Sequence, residues 1–237
     1  MNHAPTPARN RPNGLVAALF GRKASAPPAP AVDPRVVEFQ AWPWVPVHDT
    51  AAAPFGPLTP HATTGKSGNW RMERSVRGLR LHGNTDPSSA ITVGGSIAPG
   101  MPGCRITAEI YVRRLRGDGS LAALVVSAHA HDRLIMGLLS DGDLIVFRMR
   151  GTDTEIIGQC PLAPHPSGEA ARLTLQAMLF EENAILFANG QYLGTVTDKE
   201  LVGESAGTGF QVKGDSDVTL RSLTVEGLDL TRPPPRP

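Results

Sequence analysis

Thr107, Glu109, Tyr111 and Arg113 alternate with Ile106, Ala108, Ile110 and Val112. In an extended chain alternate side chains share a face. The run therefore sets an acid, a phenol and a guanidinium in one polar row, backed by an apolar one. A phenol flanked by charged hydrogen-bonding groups suits a polar ring-shaped ligand: the ring stacks on the phenol and the hydroxyls meet the charges. Arg148, Arg150 and Gln176, on later runs of the same kind, are expected to extend the row. An ordinary solvated sheet face has the same composition, and both readings stand open at this point.

Acid–base chemistry has less support. Hydrolysis of a glycosidic bond needs two carboxylates a few ångströms apart, one to protonate the leaving oxygen and one to attack or to activate water. A strand delivers that pair as two acids two residues apart. Glu109 is flanked at that spacing by Thr107 and Tyr111, Asp141 and Asp143 fall in a turn, and Glu181 and Glu182 point opposite ways. Gly65-Lys66-Ser67 ends like a phosphate-binding loop, but Pro60 stands where the first glycine belongs. Arg116-Gly117-Asp118 reads as part of a hairpin turn, and no nucleophile elbow occurs. The chain is expected not to be an enzyme.

His129, His131 and Asp132 are the densest group of metal-ligand types. Two histidines one residue apart share a strand face, as a transition metal requires, but no third protein ligand stands nearby. A polar strand end entering a turn has the same residues, and no metal is expected. Calcium needs several oxygens converging on one point. Asp118, Asp132, Asp141, Asp143, Asp153, Asp215 and Asp217 fall in predicted turns, where aspartate is an ordinary residue. No cofactor is expected, calcium being open to these turns without a convergent set. Cys104 and Cys160 fit no metal spacing; they read as two buried thiols, with a disulfide open if their strands are neighbours.

These residues must be held by elements, and proline shows where the elements are. Of 22 prolines, 12 lie in residues 1–60 and four in the last five, leaving six between, as expected if sheet lies between two tails. From Gly68 onward short alternating runs are bounded by turn residues. Leu134 to Leu139 and Leu144 to Met149 flank Asp141-Gly142, and Ile185 to Phe187 and Tyr192 to Val196 flank Asn189-Gly190. Both dipeptides supply the positive φ of tight hairpins. About ten to thirteen strands and no long helix predict an antiparallel β-sandwich or barrel. The expected organisation is a flexible Pro/Ala-rich tail over 1–34, an extended segment over 35–67 packing on the domain, the β-sandwich over 68–228 and a Pro-rich tail over 229–237. An edge strand at 36–39 and a helical turn at 198–202 are also expected.

The tail holds one ordered-looking motif over 13–21. Asn13 caps a short helix, Leu15, Val16, Leu19 and Phe20 form an apolar stripe, and Arg22 and Lys23 follow its C-terminus. Two turns do not stand alone. An apolar island on a tether suits docking to a partner protein, with a membrane surface as the competing use and packing on its own domain as the plain one. With 23 basic and 22 acidic side chains, no global field points to nucleic acid. The apolar run at 14–20 is followed at once by Arg22-Lys23 rather than by a cleavage site, and no stretch approaches the roughly 18 apolar residues of a membrane span. A cytoplasmic location is the expectation.

The C-terminal half has a further cadence: Arg172-Leu-Thr-Leu-Gln-Ala-Met178, then Asn183 through the Asn189-Gly190 hairpin to Asp198, then Gly207-Thr-Gly-Phe-Gln-Val212 and Val218-Thr-Leu-Arg-Ser-Leu-Thr-Val225. It resembles the concanavalin A-like lectin and glucanase superfamily, laminin-G-like jelly rolls in particular. The resemblance implies an all-β jelly roll of two stacked curved sheets, with a ligand site on the concave face or a rim of loops. Many members bind glycans, some with calcium, and some are glycosidases. The leading expectation is a non-catalytic module that binds a glycan or polysaccharide and is tethered to a partner protein through residues 13–23. A structural or protein-interaction sandwich without sugar, and a divergent glycoside-active enzyme, are the alternatives.

Overall fold

The computed structural model describes residues 40–49, 65–67, 69–83, 89–96, 103–129, 132–161, 171–180, 182–197, 207–229 and 231, the side chains of 48–49, 65–67, 95–96 and 127–129 excepted. Their regular structure is strand, apart from Gln40 and Ala41, which are helical. The strands are β1 (Trp44–Asp49), β2 (Gly65–Ser67), β3 (Trp70–Ser75), β4 (Gly78–Gly83), β5 (Ala90–Ser96), β6 (Gly103–His129), β7 (Asp132–Leu139), β8 (Asp143–Arg150), β9 (Asp153–Pro161), β10 (Ala171–Phe180), β11 (Asn183–Ala188), β12 (Gln191–Thr197) and β13 (Gly207–Leu228). All the pairings are antiparallel.

Two long strands build both layers. The first half of β6 pairs with β10, and its second half with β7. Likewise β13 meets β5 through residues 207–213, β4 through 216–220 and β1 through 224–228. One layer therefore holds β2, β3, β4, β1, the end of β13, the start of β6, β10, β11 and β12. The other holds β5, the start of β13, the end of β6, β7, β8 and β9. Ile106, Ile110, Leu173, Leu175, Leu79, Leu81 and Leu220 of the first layer form one buried cluster with Leu124, Val126, Leu134, Met136, Leu144 and Phe210 of the second. This is a two-sheet sandwich, as the alternation predicts. Each such aliphatic side chain stabilises it by roughly 1.5–3 kcal/mol.

Both hairpins form where expected. Asn189 and Gly190 have φ of 50° and 77°, the pair of positive angles that a two-residue turn needs to match strand twist. In the β7–β8 turn the Gly142 amide donates to the Leu139 carbonyl at 3.1 Å, and the Asp143 amide to Asp141 Oδ1 at 3.0 Å. Arg116-Gly117-Asp118 is not a hairpin turn. The chain bulges out there and resumes in the same direction, because β13 pairs with β6 on both sides of it: Arg116 lies opposite Asp215 and Leu121 opposite Lys213.

The second layer departs from simple alternation. Ala122, Leu124 and Val126 face the sandwich core, while Leu121, Ala123 and Val125 join Ile135 in a cluster on the opposite face, with Phe147 and Met149 packed on it. The continuous apolar run 121–126 is thus buried on both faces. Cys104 and Cys160 are free thiols, on β6 in the first layer and β9 in the second. The expected edge strand at 36–39 and helical turn at 198–202 lie outside the described residues.

Candidate functional site

The polar row predicted on β6 exists. Arg105, Thr107, Glu109 and Tyr111 are half-buried on the face opposite the core, between buried Ile106, Ala108, Ile110 and Val112. Neighbouring strands continue it. Tyr111 lies opposite Arg172 on β10 and Thr219 on β13, and Thr219 lies opposite Arg80 on β4.

Two irregularities frame the Tyr111–Thr219 pair. Arg114 is opposite Asp217 and Val112 opposite Val218, so Arg113 is an extra residue on β6. Ile110 is opposite Leu220 and Glu109 opposite Ser222, so Arg221 is an extra residue on β13. A bulge re-aims a side chain at the expense of ladder pairing. Here one on each strand puts an arginine at either end of the three-residue stretch centred on Tyr111. The β3–β4 turn adds Val76 and Arg77. That turn lies tight against the second bulge: Gly78 has φ of 119°, and a Cβ there would strike the Leu220 carbonyl oxygen and come within 2.8 Å of the Arg221 Cα. Only glycine tolerates both conditions.

Together Val76, Arg77, Tyr111, Arg113, Thr219 and Arg221 line an open groove of about 470 Å³. Arg221 Nη1 donates to Tyr111 Oη at 3.2 Å, which holds the phenol in place. Glu109 sits between Arg172, at 3.5 Å, and Arg221, at 3.8 Å. Asp217 accepts two hydrogen bonds from Arg80, at 2.8 and 2.7 Å. Those bonds hold its carboxyl below the usual carboxylate range, against an opposing push from burial.

A second depression, of about 390 Å³, lies on the same face and is lined by Pro46, Arg105, Thr107, Gln176, Thr224 and Glu226. Gln176 Nε2 donates to Thr107 Oγ1 at 3.1 Å, and Arg105 is fixed by two bonds to Glu226 at 2.6 and 2.7 Å beneath the Trp44 ring. Thr107 and Tyr111 are four residues apart, about 13 Å along a strand.

The structure therefore gathers Glu109, Tyr111, Arg113 and Gln176 on one face. Arg148 and Arg150 do not join them, a correction to the sequence reading. They lie on β8 in the other layer, and Arg148 is buried on the strand face of Leu144 and Val146. Its partner is Asp132, which spends both carboxylate oxygens on that guanidinium. Of the remaining metal-ligand candidates, His129 is described only in its backbone, paired with Asp132, and His131 lies outside the described residues. Among the described residues no three histidines, cysteines or carboxylates group to hold a metal. Leu15, Val16, Leu19, Phe20, Arg22 and Lys23 also lie outside the described residues.

Arg77, Thr219 and Arg221 escaped the sequence reading. For Arg221 the signal was a slip of parity. Apolar residues fall at 218 and 220, then at 223 and 225, so one residue between must be extra. Val112 followed by Leu115 slips in the same way.

No protein-family model matches the chain, and no curated protein is similar to it in sequence. Solved structures match its fold. A Bacillus subtilis protein of unknown function with a galectin-like fold superposes with a TM-score of 0.52 at 11% identity, over 78% of this chain and 98% of that one. SCLam, described as a non-specific endo-β-1,3(4)-glucanase from family GH16, superposes with a TM-score of 0.51 at 9% identity, over 80% and 94%. The carbohydrate-binding module CBM66 from Bacillus subtilis gives 0.49 at 12% identity, over 72% and 100%. The chain has the concanavalin A-like sandwich fold. Identities this low speak for fold alone.

Proposed function

We propose that this chain is a non-catalytic carbohydrate-binding module whose ligand lies along β6 on the polar face of the first layer. The groove at Tyr111 carries this reading: an oriented phenol between two bulged arginines, beside an exposed turn. The second depression, about 13 Å further along the strand, suits a linear oligosaccharide rather than a single sugar. SCLam, which shares the fold, is described as a glucanase, so this architecture serves carbohydrate ligands elsewhere.

The carboxylates of this face support a binding role over hydrolysis. A general acid needs a raised pKa. Asp217 and Glu73 are instead lowered, Asp217 chiefly by its hydrogen bonds from Arg80 and Glu73 chiefly by the hydrogen bond it accepts from His82. Glu226 is engaged by Arg105, and Glu109 by Arg172 and Arg221. Tethering to a partner protein through residues 13–23 completes the proposal.

Binding of the whole chain to a broad glycan array is the test. Retention of defined oligosaccharides by the wild type and their loss in Tyr111→Ala support the reading. Silence across the array sinks it and leaves a face for contact with protein. Pull-down with and without residues 1–30 tests the tether; unchanged partners after deletion remove that part.

A further inference from the structure

On the polar face three arginines beside the groove are matched by acids. Arg80 is matched by Asp217, Arg105 by Glu226 and Arg172 by Glu109. Among the described residues no carboxylate lies within ion-pair distance of Arg77 or Arg113, and both are exposed. Arg221 reaches Glu109 only at 3.8 Å, through Nε, and Glu109 is shared with Arg172. No acid lines the groove. The whole chain is formally +1, so this excess is local.

It is also built. Arg113 and Arg221 reach the groove because each is the extra residue of a bulge, and Arg77 because Gly78 lets its turn lie on the second bulge. Three like charges set around one phenol repel one another when the groove is empty, and an anion relieves that repulsion. A guanidinium presents a planar fork of donors that matches a carboxylate or sulfate with two parallel hydrogen bonds.

We infer that the ligand of this groove is an acidic saccharide, recognised through a carboxylate or sulfate group by Arg77, Arg113 and Arg221 while its ring lies on Tyr111. This rests on the carbohydrate-binding reading and names the chemistry of its ligand. The apolar surfaces of Tyr111 and Val76 favour a ring-bearing ligand over a bare inorganic anion. Nucleic acid would call for an extended basic track, whereas Arg80, Arg105 and Arg172 of this face are neutralised by partners within the chain.

The experiment is titration calorimetry of the whole chain with four probes at two salt concentrations: neutral oligosaccharides, uronic-acid oligosaccharides, sulfated oligosaccharides and inorganic sulfate. An RNA oligonucleotide serves as a fifth. Binding of the uronate or the sulfated series is expected, weakening as salt rises, and the stronger of the two identifies the anion. Arg77→Ala and Arg113→Ala are each expected to weaken it about tenfold or more, as loss of a charge-assisted hydrogen bond does. Arg71→Ala, on β3 outside the groove, is expected to leave it within about twofold, since distant exposed charges are screened. The three variants remove exposed side chains, and melting curves confirm that they fold. Equal binding of neutral saccharides overturns the inference and leaves the carbohydrate reading standing. Binding of no saccharide overturns both. Inorganic sulfate or RNA bound as tightly as the acidic saccharide also overturns it, as does retention of affinity in both groove variants.

Discussion

Arg148 on β8 grips Asp132 on β7 through two parallel hydrogen bonds, Nε to Oδ1 at 3.0 Å and Nη2 to Oδ2 at 2.6 Å, with side-chain exposures of only 7% and 13%. Arg148 shares its strand face with Leu144 and Val146, so the pair closes one end of the sandwich core. Removing one partner of such a pair strands the other charge out of water. Arg148→Ala is expected to lower unfolding free energy by about 3–5 kcal/mol in urea titration. Replacing both together, as Arg148→Met with Asp132→Leu, is expected to recover most of that loss, because two apolar groups leave no charge uncompensated.

Tyr111 projects from the face away from the core. Tyr111→Ala is expected to abolish saccharide binding while changing unfolding free energy by no more than about 1 kcal/mol, the centre of the distribution for single substitutions. Binding and urea titration on the same preparation separate the two effects.

Gly78 holds the β3–β4 turn against the Arg221 bulge. Gly78→Ala must either take a strained φ or push the turn away from β13. A loss of about 1–3 kcal/mol is expected, together with weaker ligand binding, since Val76 and Arg77 move with the turn. A variant that is destabilised yet binds normally would separate the turn from the groove.

The Arg80–Asp217 pair predicts a pH dependence. Hydrogen bonds from Arg80 lower the Asp217 carboxyl below its ordinary value of 3.8. A carboxyl lowered on folding contributes stability that is present above the unfolded pKa and lost as pH falls through the folded one. Wild-type stability is therefore expected to fall more steeply than that of Asp217→Asn below pH 3.8. Melting curves taken down to acid pH check the difference; parallel curves would remove the pair from the account.

Burial pushes the Cys104 thiol up to about 12, and also raises Cys160, which Asp143 raises further. The thiolate is the nucleophile. Native protein is expected to alkylate slowly at neutral pH, at Cys160 before Cys104, and to do so without prior reduction because both thiols are free. Peptide mapping after timed alkylation gives the order.

Much of the architecture was legible in the residues themselves. Alternation is a local property, and strands whose polar face meets solvent display it directly: the row of Ile106 to Arg113 and the turn at Asn189-Gly190 are in the structure where the spacing put them. The run 121–126 shows where alternation fails to inform, because a strand buried on both faces has no polar row to mark its register. What a charged residue does was not legible in the same way. Arg148 and Arg113 both follow apolar residues on strands, and their own neighbours do not distinguish them. One lies diagonally across the β7–β8 ladder from Asp132, opposite Leu134, in a position that excludes water, so it must be paired. The other is the extra residue of a bulge, exposed and beyond ion-pair distance of the Asp217 carboxylate that it acts on, so its guanidinium stays open to a ligand. Strand register, a relation between residues far apart in the chain, decides which is which.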